Sequence, residues 1–206
     1  MLLLLIGDLY IPDKAPQLPA AFRKLLRPGN TANSSNPPHA HIDKLLCLGN
    51  ITDSPSTVAF LRSLADESHL LRGAEDTHPA EKDTVLVHAG GFSIGAIGGN
   101  QVVPSGDPLA LLAHARMLGA DVLVYGGASA PEAYVLEGKF FVAPGSATGV
   151  LPATGSSADS ADSADSAGGS TPSFSLLDVA DGKCTLYVYT LVEGDIKVDR
   201  VVFAPQ

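Results

Sequence analysis

Apolar and polar positions follow two different patterns along the chain. In the N-terminal part, short apolar runs ending in Gly, Asn or Asp alternate with stretches of helical spacing, at residues 2–6, 18–26, 45–48 and 55–64. This β-α-β-α order is typical of an α/β domain. Ser54 and Asp107 each precede a proline and are predicted to cap helices, the second of which covers residues 109–118.

The pattern between and after these helices is mainly that of strands. Apolar residues there form short or alternating runs, which predict strands at residues 84–88, 92–97, 122–125, 133–136, 140–142, 174–179, 185–191 and 197–203. Asp181-Gly182 and residues 193–195 are predicted hairpin turns. Because strands outnumber helices so clearly, we predict an α/β fold of the αββα type, with two mixed sheets face to face and helices outside. One domain is expected to span residues 1–206.

Two polar segments interrupt this pattern. Residues 30–40 are rich in Asn, Ser and Pro, and residues 154–171 contain Ala-Asp-Ser three times in succession. Their small polar side chains bury too little apolar surface to build a core. We predict loop insertions, since added loop length costs little entropy. A phosphorylation or docking tail is the alternative for the second segment.

Composition narrows the classes of function. The chain has 206 residues, 45% of them hydrophobic, and a formal net charge of -9, which argues against a nucleic-acid or anionic-membrane surface. No apolar run approaches the roughly 20 residues of a membrane span, so membrane association is expected only through partners. Residues 1–6 are interpreted as a buried strand and not as a signal peptide. Cys47 and Cys184 are predicted to be reduced, as in a cytoplasmic protein.

Polar residues follow the first two predicted strands. Asp8 comes directly after the first strand and Asn50 after the second, and strand ends of α/β sheets are where ligands gather. This layout resembles the calcineurin-like metallophosphoesterases, which hold two metal ions there. Within that superfamily the chain is similar to the retromer sorting subunits, on motifs at residues 18–26, 101–104, 106–107, 144–149, 172–174, 187–189 and 197–198.

The resemblance also identifies the positions of the metal ligands, and most of them carry other side chains. The corresponding residues are Asp8, Tyr10, Asn50, Ala74, Gly98, Gly127 and Ser129. No histidine stands at a ligand position, so neither metal activation of water nor a general acid is expected. We predict a catalytically dead homologue with no catalytic residues and no metal cofactor. A residual metal-dependent phosphoesterase using Asp8 and Asn50 is the alternative.

The chain's own histidines offer no substitute ligand set. His39, His41, His69, His78, His88 and His114 show no ligand spacing with an acid at a strand end, and we interpret them as surface or packing residues. The cysteines have no histidine in a motif-like context, which leaves a thiol nucleophile unsupported.

Two protein-binding surfaces are implied by the resemblance. Val103 and Pro104, with neighbours of Asn50 and Gly98, would contact the helical-solenoid subunit of retromer. A second surface would be an apolar pocket that receives hydrophobic loops of Rab GTPase-activating proteins and other regulators. The pocket residues, expected to be exposed around a concavity, are Leu2, Leu25, Leu176, Tyr187, Tyr189 and Val198. The pattern alone would assign these six to the core. The expected location is cytoplasmic and peripheral on endosomal membranes, and an adaptor of this fold outside retromer remains open.

Overall fold

Two mixed β-sheets and three α-helices make up the described part of the chain. The computed structural model describes residues 1–27, 41–51, 54–76, 82–150 and 170–205. The strands are β1 (Leu2–Ile6), β2 (Ile42–Cys47), β3 (Ala65–Leu70), β4 (Thr84–Ala89), β5 (Phe92–Ile97), β6 (Val122–Tyr125), β7 (Glu132–Leu136), β8 (Lys139–Ala143), β9 (Ser173–Ala180), β10 (Lys183–Val192) and β11 (Asp195–Phe203). The helices are α1 (Ala20–Leu26), α2 (Pro55–Arg62) and α3 (Pro108–Leu118), and a 3₁₀ turn covers Gly99–Gln101.

The sheets contain both parallel and antiparallel neighbours. The six-stranded sheet has the order β11-β10-β9-β1-β2-β3, with β1 to β3 parallel and the other pairs antiparallel. The five-stranded sheet has the order β4-β5-β6-β8-β7, with a parallel centre and antiparallel edge strands. In each sheet, therefore, the carboxyl ends of the parallel strands lie at the same end of the sheet, where the loops that follow them can carry functional groups.

Apolar side chains form three layers that confirm the αββα prediction. Leu46 of the first sheet and Ile94 of the second belong to the core between the sheets. Phe22 of α1 and Leu61 of α2 are fully buried against the outer face of the six-stranded sheet. Leu111 of α3 is buried against the outer face of the other sheet.

The predicted helix starts are confirmed by their caps. The Ser54 hydroxyl accepts a hydrogen bond from the Thr57 amide at 3.4 Å, and the Asp107 carboxylate accepts one from the Ala110 amide at 2.7 Å. Each cap satisfies an amide that has no partner within the helix. α3 ends at Gly119, whose φ of 64° is the left-handed conformation common after a helix. α1 begins at Ala20, two residues later than predicted, because Pro19 occupies the cap position.

One strand was not predicted. β3 has the sequence Ala-Asp-Glu-Ser-His-Leu and pairs in parallel with β2, with Leu46 opposite His69. It is an edge strand with exposed Asp66 and Glu67, so its residues lack the apolar alternation by which strands are recognised. The prediction of a helix to Leu64 was correspondingly too long, since α2 ends at Arg62.

The two cysteines were predicted to be reduced, and they form no disulfide with each other. Cys47 and Cys184 are both free and buried, and burial raises the pKa of each thiol to about 12. Among the described residues, no helix is long and apolar enough to cross a membrane. The predicted insertion at 30–40 and nearly all of that at 154–171 lie outside the described residues, as do His39 and His78.

Candidate functional site

Asp8 and Asn50 form the centre of the strand-end site, as the sequence predicted they would. Asp8 follows β1, Asn50 follows β2, and both are buried with positive φ. The Asn50 side-chain amide donates to one Asp8 carboxylate oxygen at 2.6 Å and to the Tyr10 hydroxyl at 3.1 Å. The Gly127 amide donates to the other Asp8 oxygen at 2.8 Å. Each oxygen of the Asp8 carboxylate therefore already has a donor from within the protein.

The protonation of Asp8 reflects this buried setting. Burial raises the pKa of the Asp8 carboxyl above its ordinary value, and the nearby Asp76 and Glu75 carboxylates raise it further. The hydrogen bonds from Asn50 and Gly127 act in the opposite direction. Burial, and then the charge of Asp8, raise the pKa of the Tyr10 phenol as well, which keeps that hydroxyl neutral.

A second loop, residues 72–76, closes on Asn50 from the end of β3. One Asp76 carboxylate oxygen accepts hydrogen bonds from the Asn50 and Gly73 backbone amides, at 2.8 and 2.7 Å. The Glu75 amide donates to the Asn50 side-chain oxygen at 3.1 Å. The acids that follow Ala74 thus hold the loop to Asn50, and both polar atoms of the Asn50 side chain have partners in the protein.

A lysine joins this network that the sequence motifs did not identify. Lys14 Nζ lies 4.3 Å from the centroid of the Tyr10 ring and donates to a Glu75 carboxylate oxygen at 2.6 Å. The first contact is a cation–π interaction and the second an ion pair. Both partners are bonded to Asn50, so Lys14 bridges the loop after β1 and the loop after β3.

Glycines at and beside the former histidine positions allow the loops after β3, β5 and β6 to contact one another through their backbones. A Cβ atom on Gly98 would lie 2.8 Å from the Arg72 carbonyl oxygen, and one on Gly99 would lie 2.5 Å from the Gly126 carbonyl oxygen. Gly127 has a φ of 80°, which disfavours any other residue. Ser129 is exposed. The space that two imidazole rings would need at Gly98 and Gly127 is therefore reduced by the approach of these loops.

These donors do not fit the pair of metal ions that the phosphoesterase fold implies. Ions there are bound by several carboxylate, amide-oxygen or imidazole groups, with which internal hydrogen bonds compete. Here the Asp8 and Asn50 oxygens accept hydrogen bonds from Asn50, Gly127 and Glu75. Within the described ranges there is no group of three or more His, Cys, Asp or Glu residues arranged to hold a metal ion.

The predicted solenoid-contact residues follow the 3₁₀ turn that comes after Gly98. Gly98 is buried, the 3₁₀ turn follows it, and Val103 is 80% exposed next to exposed Pro104. A His114 ring nitrogen lies 3.2 Å from the Gln101 carbonyl oxygen, which ties the turn to α3. Val102 is buried under the same turn, so Val103 is presented outward on a fixed loop.

The six predicted pocket residues come together on the outer face of the six-stranded sheet. Strand register places Leu176 opposite Tyr187, and Tyr189 opposite Val198. Leu2, Leu25, Tyr187 and Val198 are half-buried and pack on the same apolar cluster. Leu191 and Ile196 are also half-buried in it, although the sequence motifs did not single them out.

The expectation of exposure was wrong for two of these six residues. Leu176 is 4% exposed and Tyr189 is 2% exposed. The Tyr189 ring stacks on Phe174, with centroids 4.8 Å apart, and Phe174 in turn meets the edge of the Phe22 ring of α1. Aromatic packing under α1 therefore buries the centre of the surface and leaves the half-buried residues as its rim.

Comparison with known proteins finds close relatives over the whole length. No family model matches the chain. Vacuolar protein sorting-associated protein 29 (Vps29) of Schizosaccharomyces pombe is 37% identical over 203 residues, covering 98% of each chain. That of Saccharomyces cerevisiae is 30% identical over 289 residues, covering 98% of this chain and 99% of the relative.

Solved structures agree with these relatives. Vps29 of Chaetomium thermophilum has a TM-score of 0.82 and 35% identity, covering 100% of this chain and 98% of its own; a structure with a cyclic peptide has a TM-score of 0.77. Vps29 of Entamoeba histolytica complexed with Zn²⁺ has a TM-score of 0.80 and 34% identity, covering 98% and 99%. A predicted phosphoesterase of Streptococcus pneumoniae, at 13% identity and a TM-score of 0.61, shares the fold.

Proposed function

The chain belongs to the Vps29 family, and on that premise we propose that it is a non-catalytic scaffold subunit of the retromer complex. In this role it takes part in protein transport from endosomes to the Golgi and the plasma membrane. It binds other proteins and reaches the endosomal membrane from the cytoplasm only through them. Its relatives in two yeasts are named for vacuolar protein sorting, which supports this assignment.

The observation that carries the non-catalytic part is the Asp8–Asn50 hydrogen bond of 2.6 Å. Phosphate ester hydrolysis on this fold needs a polarised phosphate, an activated water and a proton for the leaving group. Asp8 and Asn50, which would hold the ions, are hydrogen-bonded to each other. The histidine positions carry Tyr10, Gly98, Gly127 and Ser129. A protein partner is better suited to this face, because its polar atoms are satisfied without a ligand.

The first partner is the helical-solenoid subunit, vacuolar protein sorting-associated protein 35, which we place on Val103 and Pro104. Val103 is 80% exposed, on a loop fixed through Gln101 and His114. A large apolar side chain on a fixed loop gives contact area with little loss of conformational entropy on binding. The Asp8 carboxylate is satisfied within the protein by Asn50 and Gly127, so it adds no unpaired charge to a contact on this face.

The second kind of partner is a regulator, such as a Rab GTPase-activating protein, that inserts a hydrophobic loop between Leu2, Leu25, Tyr187 and Val198. These four side chains are half-buried around the buried Leu176 and Tyr189. Half-buried leucine, valine and tyrosine side chains offer apolar contacts to such a loop. The Chaetomium protein has been solved with a cyclic peptide, which supports peptide binding by the family.

Affinity purification tests the proposal. The tagged protein, recovered from its native cytosol, is expected to bring down the solenoid subunit in near-equal amount by mass spectrometry. Val103→Asp should lower that recovery by roughly tenfold or more, as for a residue at an interface centre. Val135→Asp is the matched control, since Val135 is 55% exposed on edge strand β7.

Three results would contradict parts of the proposal. Recovery of the protein without any solenoid subunit would remove the scaffold role. Metal-dependent hydrolysis of phosphate esters by the purified protein, lost in Asp8→Ala, would make it a phosphoesterase. Equal loss of binding in Val103→Asp and Val135→Asp would show that the solenoid subunit does not bind specifically at the loop of Val103.

A further inference from the structure

Three acidic residues, one of them buried, lie on the loops around Asn50. Asp8 and Asp76 contact Asn50 through their carboxylates, and Glu75 contacts it through its backbone amide. Asp8 is 2% exposed. Carboxylates brought so close repel one another, and a nearby cation stabilises them. In a metallophosphoesterase, metal ions provide that positive charge.

Lys14 provides a positive charge to the same network from within the chain. Its Nζ is 2.6 Å from a Glu75 carboxylate oxygen and 4.3 Å from the centroid of the Tyr10 ring. Tyr10 stands at a histidine position of the metal motif, and Glu75 follows Ala74, another ligand position. The Lys14 side chain is only 31% exposed. The ammonium group is thus held between one former ligand position, Tyr10, and the residue that follows another.

We propose that the Lys14 ammonium, held by Tyr10 and Glu75, takes the place of a divalent metal ion at this site. The site is held together without a metal, and the same contacts compete with one for the carboxylates. An incoming ion would have to compete with the Lys14 ammonium for Glu75 and with the Asn50 amide for Asp8. In this respect the chain differs from the Entamoeba Vps29, whose structure contains Zn²⁺. The inference concerns metal binding alone and does not depend on the scaffold role.

Metal titration of three proteins tests this assignment. The wild-type chain, Lys14→Met and the control Lys183→Met are compared by thermal unfolding in EDTA and in millimolar Mn²⁺ or Zn²⁺. Lys183 is exposed at the start of β10, away from the loops after β1, β2 and β3. Methionine keeps the length and the ring contact of Lys14 while removing its charge.

The wild type and Lys183→Met should have the same melting temperature with metal and with EDTA. Lys14→Met should melt about 2–4 °C lower in EDTA. Mn²⁺ or Zn²⁺ should restore part of this loss, because the Glu75 carboxylate is then free of its ammonium partner and available to a cation. Calorimetric titration of Mn²⁺ alone should show saturable heat for Lys14→Met and none for the wild type.

Two outcomes would overturn the proposal. One is saturable metal binding by the wild type that disappears in Asp8→Ala. The other is a Lys14→Met protein with wild-type melting temperature and no response to metal. If Lys14→Met does not fold, Glu75→Gln tests the same pair, since it removes the charge of the partner and keeps its shape. An unchanged melting temperature in Glu75→Gln would likewise contradict the role of Lys14.

Discussion

Gly99→Ala tests the close contact between the loops at the former histidine positions. The added methyl carbon would lie 2.5 Å from the Gly126 carbonyl oxygen and 2.6 Å from the Gly127 Cα atom. Ordinary contact begins at 3.4 Å, so the shortfall to the oxygen is 0.9 Å. Both neighbours are backbone atoms and cannot rotate away. One of the two loops must therefore shift.

The expected loss follows from this overlap. Inserting a methyl group into a tightly packed site destabilises a protein by about 1–3 kcal/mol. With a urea m-value of about 2 kcal/mol/M, a loss of 2 kcal/mol moves the unfolding midpoint by about 1 M. Gly99 has no positive φ, so the backbone conformation itself does not oppose alanine and the effect measures the contact alone.

Urea denaturation followed by circular dichroism provides the measurement, with Ser129→Ala as the control. Ser129 belongs to the same group of loops but is exposed, and its replacement should change the free energy of unfolding by no more than about 0.5 kcal/mol. A Gly99→Ala midpoint that matches the control would refute the contact. An unchanged m-value would show that the unfolding reaction is the same in both variants.

The remaining predictions concern the pocket and a surface ion pair. Leu176→Asp should lower the free energy of unfolding by about 3 kcal/mol or more, because it buries a carboxylate in the core. Val198→Asp should lower it by only about 1 kcal/mol and should reduce regulator binding, because Val198 is half-buried. Urea denaturation measures the first effect, and pull-down with a regulator measures the second. The hydrogen bond and charge of Asp66 raise the pKa of exposed His41 above its ordinary 6.5, so this pair stabilises the fold fully below that value and loses its effect as pH rises through the folded pKa. His41→Gln should remove that part of the pH dependence of the midpoint.

Local sequence signals predicted much of the fold. The caps of α2 and α3 were identifiable because Ser54 and Asp107 act on amides three residues away. β3 escaped prediction because its identity depends on pairing with β2, and its own residues are mostly polar. The hairpin at Asp181-Gly182 was predicted because turn chemistry is local.

The sequence revealed which metal ligands are missing from the candidate site, but not which contacts are present there in their place. Missing histidines are visible in the sequence, but a glycine does not reveal that another backbone approaches it, as Gly126 approaches Gly99. Lys14 and Glu75 are 61 residues apart, and no motif connects them. For Leu176 the strand pattern was the better guide: it assigned the residue to the core, as the structure shows, whereas the family resemblance led us to expect exposure.

The positions of the two proposed surfaces allow one chain to hold two partners. Asp8 follows β1, whereas Val198 lies on β11, and β9 and β10 separate these strands. Three spacings of about 4.8 Å put the strands about 14 Å apart. Substitutions farther apart than about 7–10 Å, with no shared partner, usually act independently. A change at Val198 should therefore leave the Asp8–Asn50 network intact, and with it the face proposed for the solenoid subunit. Rigid sheet structure between the surfaces would then keep both partners at a fixed spacing.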